Sequence, residues 1–235
     1  MIEDVKKLVY DANLMLPELD LIKMTWGNVS GFAEGAAVFV IKPSGLSYDV
    51  MTPQDMVVVD LEDQVVEGKL RPSSDTPTHT QIYKYAAEKG LYIAAVVHTH
   101  SPWATSWAQA GKDIPAFGTT HADTFYGDIP CARYLTKAEV TEDYEKNTGK
   151  LIVETFEERG LDMEAIPGIV LHGHGVFTWG SSPKKAVENS LVLEECAKMA
   201  LLTQQINPNA EHLPLEILDK HYLRKHGENA YYGQK

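Results

Sequence analysis

The sequence predicts a mixed α/β fold in which helices cover a central sheet. Along the 235 residues, short β-branched runs are scattered among amphipathic helical segments. A doubly wound parallel fold would require strict alternation of strands and helices, so a mixed sheet is favoured. Hydrophobic residues make up 44% of the chain, enough for a packed core, and no repeat or linker interrupts it. We therefore predict a single domain over residues 1–235.

Five segments have apolar residues at helical spacing. They are residues 2–16, 76–89, 103–110, 139–159 and 183–206. The first is expected to end at Pro17, which cannot continue the backbone hydrogen bonding. The second begins at Thr76, a suitable N-cap, with Pro77 at the first helical position. Gly160 ends the fourth segment, and Ser182 caps the fifth.

The predicted strands lie between these helices. They are residues 38–41, 56–60 and 91–97, and a hairpin-like pair within 168–179. Residues 114–135 are rich in polar residues, glycine and proline, which predicts a long loop section. In chain order, predicted strands therefore precede and follow the second helix, and the hairpin-like pair precedes the last helix.

The charge and cysteine content restrict the possible partners and compartment. There are 21 basic and 33 acidic residues, so the formal net charge of −12 disfavours nucleic acid and anionic membranes as partners. Cys131 and Cys196 are far apart and outside any metal or redox spacing, which indicates a reducing compartment. No apolar stretch approaches the roughly 18 residues of a membrane helix, and residues 1–11 lack a signal-peptide core. We expect a soluble, cytoplasmic protein.

Two pairs of histidines carry the strongest chemical signal. His98 and His100 close one apolar run, and His172 and His174 close another. Side chains at positions i and i+2 of a strand point to the same face, so each pair can direct two imidazoles at one point. Neutral imidazole suits zinc and similar transition metals. The alternative is that they are solvated strand-end histidines, but two matching pairs favour an open metal site.

Three short polar segments together suggest a phosphate site. They are residues 26–30, 42–45 and 72–75. Ser73 and Ser74 offer hydroxyl groups and free backbone N–H groups before a helix, where an anion can bind, although helix capping explains them equally well. Lys42 adds a cation, and Gly45 exposes backbone. Each segment alone is an ordinary turn, whereas together they provide neutral donors and one lysine for a phosphate.

Two carboxylates and the C-terminal segment are further candidates. Asp75 could add an oxygen ligand to a metal. Asp123 could act as an acid or base, or be a solvated loop aspartate. The aromatics and histidines between His221 and Tyr232 are unusual for a terminus. This tail either folds back or docks on a neighbouring subunit, where it could complete an active site.

The motifs together resemble the class II aldolase/epimerase family. Those that match are residues 26–30, 42–45, 72–79, 97–101, 118–123 and 172–175. The resemblance runs over nearly the whole chain. It implies a three-layer α/β/α fold with a central, mostly antiparallel mixed sheet. It also implies a homotetramer with active sites at subunit interfaces, to which the tail of residues 216–235 would contribute.

The resemblance also implies roles for individual residues. The metal, expected to be Zn²⁺ with Mn²⁺ or another divalent ion as alternatives, would be bound by Asp75, His98, His100 and His174. His172 is not a ligand in the family. Substrate-binding positions correspond to Gly27, Asn28, Lys42, Ser44, Gly45, Ser73, Ser74, Thr119 and Glu145. Asp123 matches one catalytic acid/base of the family, and Tyr232 from the adjacent subunit matches the second catalytic acid/base. His221 matches a residue that supports them.

Asp75 and the tail resemble the epimerases of this family. This implies interconversion of L-ribulose 5-phosphate and D-xylulose 5-phosphate, in a pathway of sugar catabolism such as that of arabinose. Carbon C4 is not adjacent to the carbonyl, so cleavage and re-formation of the C3–C4 bond is easier than deprotonation at C4. A divalent metal acts as the Lewis acid, and two proton carriers serve the two faces.

Two alternatives remain open. The first is an aldolase of the same family acting on a sugar phosphate such as L-fuculose 1-phosphate; those enzymes have glutamate where Asp75 stands and lack the tail. The second is a non-catalytic scaffold like the adducin head domain, although intact histidines and carboxylates argue against it. Binding of a divalent metal would distinguish an enzyme from a scaffold.

Overall fold

A computed structural model describes residues 2–227 and 229–232 and contains one sheet of eight strands. The strands are β1 (Gly27–Ala33), β2 (Val38–Ile41), β3 (Val57–Asp60), β4 (Val65–Glu67), β5 (Ala95–Thr99), β6 (Cys131–Ala132), β7 (Gly168–Leu171) and β8 (Val176–Gly180). Their order across the sheet is β4-β3-β2-β1-β5-β8-β7-β6. The β6–β7 pair is parallel and the other pairs are antiparallel, which confirms the predicted mixed, mostly antiparallel sheet.

Helices flank the sheet. They are α1 (Ile2–Glu18), α2 (Thr76–Lys89), α3 (Pro102–Ala110), α4 (Thr119–Ala122), α5 (Lys137–Arg159), α6 (Pro183–Ile206) and α7 (Leu215–His226). Among the described residues, none of these helices combines the length and the apolar character needed to cross a bilayer.

The core consists of two apolar clusters, because successive residues of a strand point to opposite faces of the sheet. In β5, Val96 belongs to the cluster that includes Ile82 of α2. The neighbouring Val97 belongs to the cluster that includes Val9 and Leu16 of α1. The sheet is therefore covered on both faces, which confirms the predicted α/β arrangement.

Strand β1 is the longest strand of the sheet, and the sequence did not predict it; the short strand β4 and helix α7 were not predicted either. The small and amide residues of β1 indicated only a turn at 26–30, yet β1 pairs with both β2 and β5 and is almost entirely buried. The fully buried Asn13 of α1 donates from Nδ2 to the Val29 carbonyl at 3.1 Å and accepts from the Val29 N–H at 3.0 Å. Burial between two strands decided this conformation despite weak strand propensity.

Other differences concern the ends of elements and the loop section. Helix α1 continues through Pro17 to Glu18, and β5 begins at Ala95 instead of at residue 91. The predicted loop section 114–135 contains the short elements α4 and β6. The predicted tail 216–235 includes most of helix α7, while its residues 228 and 233–235 lie outside the described residues, as does residue 1 of the predicted domain.

Candidate metal centre and phosphate-binding cavity

Adjacent strands bring three of the four histidines together. His98 lies in β5, His100 follows it directly, and His174 lies in the turn between β7 and β8. Their ligand atoms all lie within 4.8 Å of one another. The Nδ1–H of His98 donates to the carbonyl oxygen of Val176 at 2.9 Å, which leaves its Nε2 lone pair free. The Nε2 atoms of His98 and His100 are 3.1 Å apart, a spacing that suits a shared cation.

The surroundings keep the imidazoles of His100 and His174 in the neutral form that binds metals. Partial burial and the neighbouring His98 lower the pKa of His100 to about 4. Burial, together with His98 and His100, lowers the pKa of His174 to about 3. Both rings are therefore neutral near pH 7, and three imidazoles that converge on one point fit a divalent transition metal.

Asp75 lies beside the three histidines at the start of α2. Its Oδ2 accepts a hydrogen bond from Asn28 Nδ2 at 2.6 Å. Burial opposes its ionisation, but His98, His79 and the Asn28 amide outweigh burial and lower the pKa of Asp75, so the group is a carboxylate. It does not belong to the group of ligand atoms within 4.8 Å of one another, and its predicted role as a metal ligand stays a prediction.

A cavity of about 530 Å³ connects the histidines to the three polar segments. The predicted site residues that line it are Gly27, Asn28, Lys42, Ser44, Gly45, Ser73, Ser74, Asp75, His98, His100 and His174. The Oδ1 atom of Asn28 is buried and has no hydrogen-bond partner among the described residues. An unpartnered polar atom at a cavity wall is consistent with a polar ligand.

Backbone pairing joins two of the polar segments. The N–H of Ser73 donates to the carbonyl of Lys42 at 3.0 Å, and the N–H of Ser44 donates to the carbonyl of Arg71 at 2.9 Å. Gly45 has a φ of +67°, which glycine adopts without strain. The serine hydroxyls of both segments therefore lie at one wall of the cavity, where they can surround an anion.

Lys42 is the one cationic side chain among the described residues that line this cavity, and it is 2% exposed. Its Nζ donates to the carbonyl oxygen of Leu46 at 2.6 Å and lies 4.7 Å from the centre of the Tyr48 ring. Burial lowers the pKa of Lys42 to about 8. An ammonium buried with carbonyls and a ring, and without an ion pair to a described carboxylate, is well suited to a phosphate.

Asp123 belongs to a second cluster, formed with α7 of the same chain. Its carboxylate contacts His221 Nδ1 at 3.0 Å, Arg224 at 2.9 Å and Lys225 Nζ at 3.2 Å. Burial raises the pKa of Asp123, but the hydrogen bonds from these three groups outweigh it and lower the pKa. Tyr232 joins the cluster through its ring, whose centre is 4.7 Å from the guanidinium carbon of Arg224.

The second cluster is separate from the cavity within one chain. Asp123, His221 and Tyr232 do not line it, and neither do Thr119 and Glu145. Thr119 is exposed on α4, whereas Glu145 is half-buried on α5, where its backbone carbonyl accepts a hydrogen bond from Thr78 at 2.6 Å. The structure therefore assembles the predicted metal and phosphate residues in one place and the predicted proton carriers in another.

The fourth histidine has a different environment. His172 stacks on Tyr134 with ring centres 3.5 Å apart, and a side chain at Gly111 would collide with its ring. The four histidines thus divide into three candidate ligands and one packed residue. Sequence reasoning missed Tyr144, whose hydroxyl is 3.4 Å from His174 Nδ1. Nothing in the pattern of the long helix α5 distinguishes Tyr144, because its position depends on how the helix packs.

These features define an α/β protein with a candidate three-histidine metal centre at a polar cavity. A family model described as Class II Aldolase and Adducin N-terminal domain matches residues 7–201, and the chain belongs to this family. A solved structure of an L-fuculose 1-phosphate aldolase is similar, with 28% sequence identity and a TM-score of 0.76 over 93% of this chain and 94% of that chain.

Two more distant structures share the fold. The L-fuculose 1-phosphate aldolase from Glaciozyma antarctica has 19% identity and a TM-score of 0.75 over 97% of this chain and 84% of that chain. The L-fuculose-1-phosphate aldolase from Thermus thermophilus has 22% identity and a TM-score of 0.64 over 89% of this chain and 98% of that chain. At these identities the likeness supports the fold alone.

Replacing one ligand histidine should reduce metal binding, and His172 provides a matched control. We expect His174→Gln to raise the Zn²⁺ dissociation constant more than about tenfold, because it removes one of three converging nitrogens. His172→Gln should bind Zn²⁺ like the wild type, since His172 lies outside the group. Chelator competition measures both constants, and equal losses in the two variants would contradict the assignment.

Lys42 should make phosphate binding depend on pH. The ammonium is present below its pKa of about 8 and is lost as the pH rises through that value. Inorganic phosphate only gains negative charge as the pH rises over this range, so its own titration would strengthen binding to a cation and cannot produce a fall in affinity. We expect affinity to fall about tenfold between about pH 7.5 and 9.5, the contribution of one charge-assisted hydrogen bond. Calorimetry at a series of pH values measures the phosphate affinity. If the Lys42→Met variant showed the same pH dependence of phosphate binding, Lys42 would be excluded as its source.

Proposed function

We propose that this protein is an L-ribulose-5-phosphate 4-epimerase, which interconverts L-ribulose 5-phosphate and D-xylulose 5-phosphate. The observation that carries the proposal is the cluster in which Asp123 pairs with α7 next to Tyr232. Epimerisation requires a proton carrier for each face of the reacting carbonyl. A carboxylate and a phenol held in one cluster provide two such carriers, in addition to the metal and phosphate residues at the cavity.

The three histidines would hold the divalent metal, with Asp75 as a fourth ligand. Three imidazoles and a carboxylate suit Zn²⁺, and Mn²⁺ or another divalent ion is compatible. When bound, the metal supplies Lewis-acid chemistry that polarises the carbonyl of the substrate. The Asn28 amide, which donates to Asp75, keeps that carboxylate oriented.

The remaining steps follow from the residues of the chain. Ser44, Ser73 and Lys42 would hold the C5 phosphate. A base removes the proton of the C4 hydroxyl, the C3–C4 bond breaks, and its electron pair stays on the C1–C3 fragment. Glycolaldehyde phosphate rotates while its phosphate remains bound, and the bond re-forms on the other face. Asp123 serves one face and Tyr232 the other, so each acts as base in one direction and as acid in the reverse direction.

The separation of the two clusters supports an assembly of subunits. Asp123 and Tyr232 do not line the cavity of their own chain. Tyr232 is 59% exposed, and Trp26 at the cavity is 56% exposed. Exposed aromatics at both clusters are typical of surfaces that another subunit covers. We propose a homotetramer in which the tail of one subunit, with His221 in support, completes the cavity of the next. Thr119 and Glu145, which do not line the cavity of their own chain, would contribute to the completed site.

An aldolase acting on a sugar phosphate is the second candidate. It is favoured by the 28% identity to an L-fuculose 1-phosphate aldolase of matching length. Such an enzyme would share the metal and phosphate residues but would release its two fragments. The shorter side chain of Asp75, where those aldolases have glutamate, and the α7 cluster favour the epimerase. A scaffold like the adducin head domain would not need the metal.

Product analysis tests the proposed function. The protein is incubated with L-ribulose 5-phosphate and Zn²⁺ or Mn²⁺, and the products are identified by NMR. Formation of D-xylulose 5-phosphate is expected. Net accumulation of two shorter fragments, or cleavage of L-fuculose 1-phosphate instead, would establish an aldolase. Failure of the protein to bind any divalent metal would favour the scaffold.

Tyr232 should matter for turnover far more than for binding. Tyr232→Phe removes only the phenolic oxygen, so we expect kcat to fall about 100-fold or more, the usual range for a lost acid/base, with KM little changed. Tyr231→Phe is the matched control, because Tyr231 is equally exposed and its ring contacts Lys220 instead of the Asp123 cluster. Near-wild-type kcat in Tyr232→Phe would remove Tyr232 from the mechanism.

A further inference from the structure

One side chain of α7, Arg224, contacts both of the proposed proton carriers. Its Nη2 donates to the two carboxylate oxygens of Asp123, at 2.9 Å and 3.0 Å. Its guanidinium carbon lies 4.7 Å from the centre of the Tyr232 ring. A guanidinium group donates hydrogen bonds in its plane and stacks through its faces. One Arg224 side chain can therefore hold a carboxylate at its edge and a ring at its face.

The backbone of Arg224 also holds Tyr232. The N–H groups of Tyr231 and Tyr232 both donate to the Arg224 carbonyl oxygen, at 3.0 Å and 3.1 Å. The Tyr232 ring lies 4.6 Å from Lys225 Nζ as well. Because Tyr232 is largely exposed, its position depends on these contacts with the end of α7 and not on burial in the core.

The other groups at Asp123 hold its carboxylate less completely. His221 Nδ1 contacts Oδ1 at 3.0 Å, and Lys225 Nζ contacts Oδ2 at 3.2 Å. His226 donates from Nε2 to the backbone carbonyl of Asp123 at 3.0 Å, and so leaves the carboxylate free to rotate. Among the described residues, Arg224 is the one that hydrogen-bonds both oxygens, and it therefore fixes the carboxylate most directly.

Arg224 makes these contacts although one of its own donors has no partner. Its Nε atom is buried and has no hydrogen-bond acceptor among the described residues. A buried donor without an acceptor destabilises the folded state. The side chain thus adopts a position that serves Asp123 and Tyr232 and leaves its own hydrogen bonding incomplete, which a residue with only a structural role does not explain.

We propose that Arg224 is a positioning residue that fixes the Asp123 carboxylate and the Tyr232 phenol relative to each other for proton transfer. The guanidinium keeps all its protons, so it carries none to or from the substrate. Proton transfer depends steeply on the placement of the carrier, so loss of Arg224 should reduce turnover and not substrate binding. The inference rests on the proposed function, because it takes Asp123 and Tyr232 as the two carriers.

Steady-state kinetics with L-ribulose 5-phosphate and the Zn²⁺-loaded protein test this role. Arg224→Met keeps an unbranched stem but removes the guanidinium. We expect kcat to fall about 100-fold, the effect of misplacing a catalytic group by about 1 Å, with KM changed less than about twofold. Arg224→Lys keeps the charge without the planar edge and face, and should leave kcat about tenfold below the wild type. A raised KM with unchanged kcat would make Arg224 a substrate-binding residue and overturn the proposal.

Two lysines of the same helix provide matched controls. Lys225→Met removes an equal charge from the cluster, and kcat should fall less than in Arg224→Met, because the ammonium does not fix both oxygens. Equal losses would show that charge alone matters and would overturn the proposal. Lys220 lies 5.3 Å from the Tyr231 ring centre, so Lys220→Met should keep the wild-type kcat. A comparable loss in Lys220→Met would indicate disruption of α7 and would also overturn it.

A titration of Asp123 gives a measurement that does not depend on turnover. Burial raises the pKa of Asp123, and hydrogen bonds from His221, Arg224 and Lys225 outweigh burial and lower it. Arg224→Met should therefore raise the pKa of Asp123, which carbon-13 NMR of labelled aspartates measures. An unchanged pKa would overturn the proposal. If Arg224→Met does not fold, Arg224→Lys is used for both measurements, with the same directions and smaller changes.

Failure of the proposed function and failure of this inference give different results. Wild-type protein that converts no L-ribulose 5-phosphate would refute the epimerase, and the NMR titration would still decide whether Arg224 controls the Asp123 carboxylate. Active wild-type protein together with wild-type kcat in Arg224→Met would refute the role of Arg224 and leave the epimerase in place.

Discussion

The register of the antiparallel pairing around β5 is the constraint on which the site depends. In this register, His98 lies opposite Asn28 of β1 on one side and opposite Phe177 of β8 on the other. A slip by one residue would turn His98 to the α1 face and disperse the candidate metal centre. Gly27 permits this pairing, because a Cβ there would lie 2.9 Å from the His98 carbonyl and 2.6 Å from Ile22. The same strand register therefore packs the core and places the candidate metal ligands.

The proposed phosphate pocket lies in an acidic protein. With a net charge of −12, the chain has no general positive field, and recognition depends on local donors. Serine hydroxyls line the cavity, and Lys42 is the one cation among the described residues at its wall. Neutral imidazoles complete the lining. Two cations, Arg224 and Lys225, lie in the other cluster, where they stabilise the Asp123 carboxylate.

In both clusters, the one with Asp75 and the one with Asp123, a carboxylate is oriented by residues that are distant in the sequence. Asp75 is held by Asn28, from a strand that sequence reasoning did not identify, and Asp123 is held by α7, almost 100 residues later in the chain. Burial opposes ionisation in both, and directed hydrogen bonds and charges overcome it. In the proposed tetramer, the two carboxylates of different subunits would serve one substrate.

The sequence by itself determined helices α1, α2, α3, α5 and α6, the mixed sheet and most of the cavity wall, because helical and strand periodicity, turn residues and the His-x-His spacing are local signals. It did not determine β1, whose glycines and amide residue have weak strand propensity, and the His-x-His spacing alone did not separate the three converging histidines from His172, which only the family resemblance set apart. Packing decided both: pairing with β2 and β5 makes residues 27–33 a strand, and stacking on Tyr134 holds His172 apart. The donors that orient each carboxylate are distant in sequence, so only the tertiary structure could bring them together.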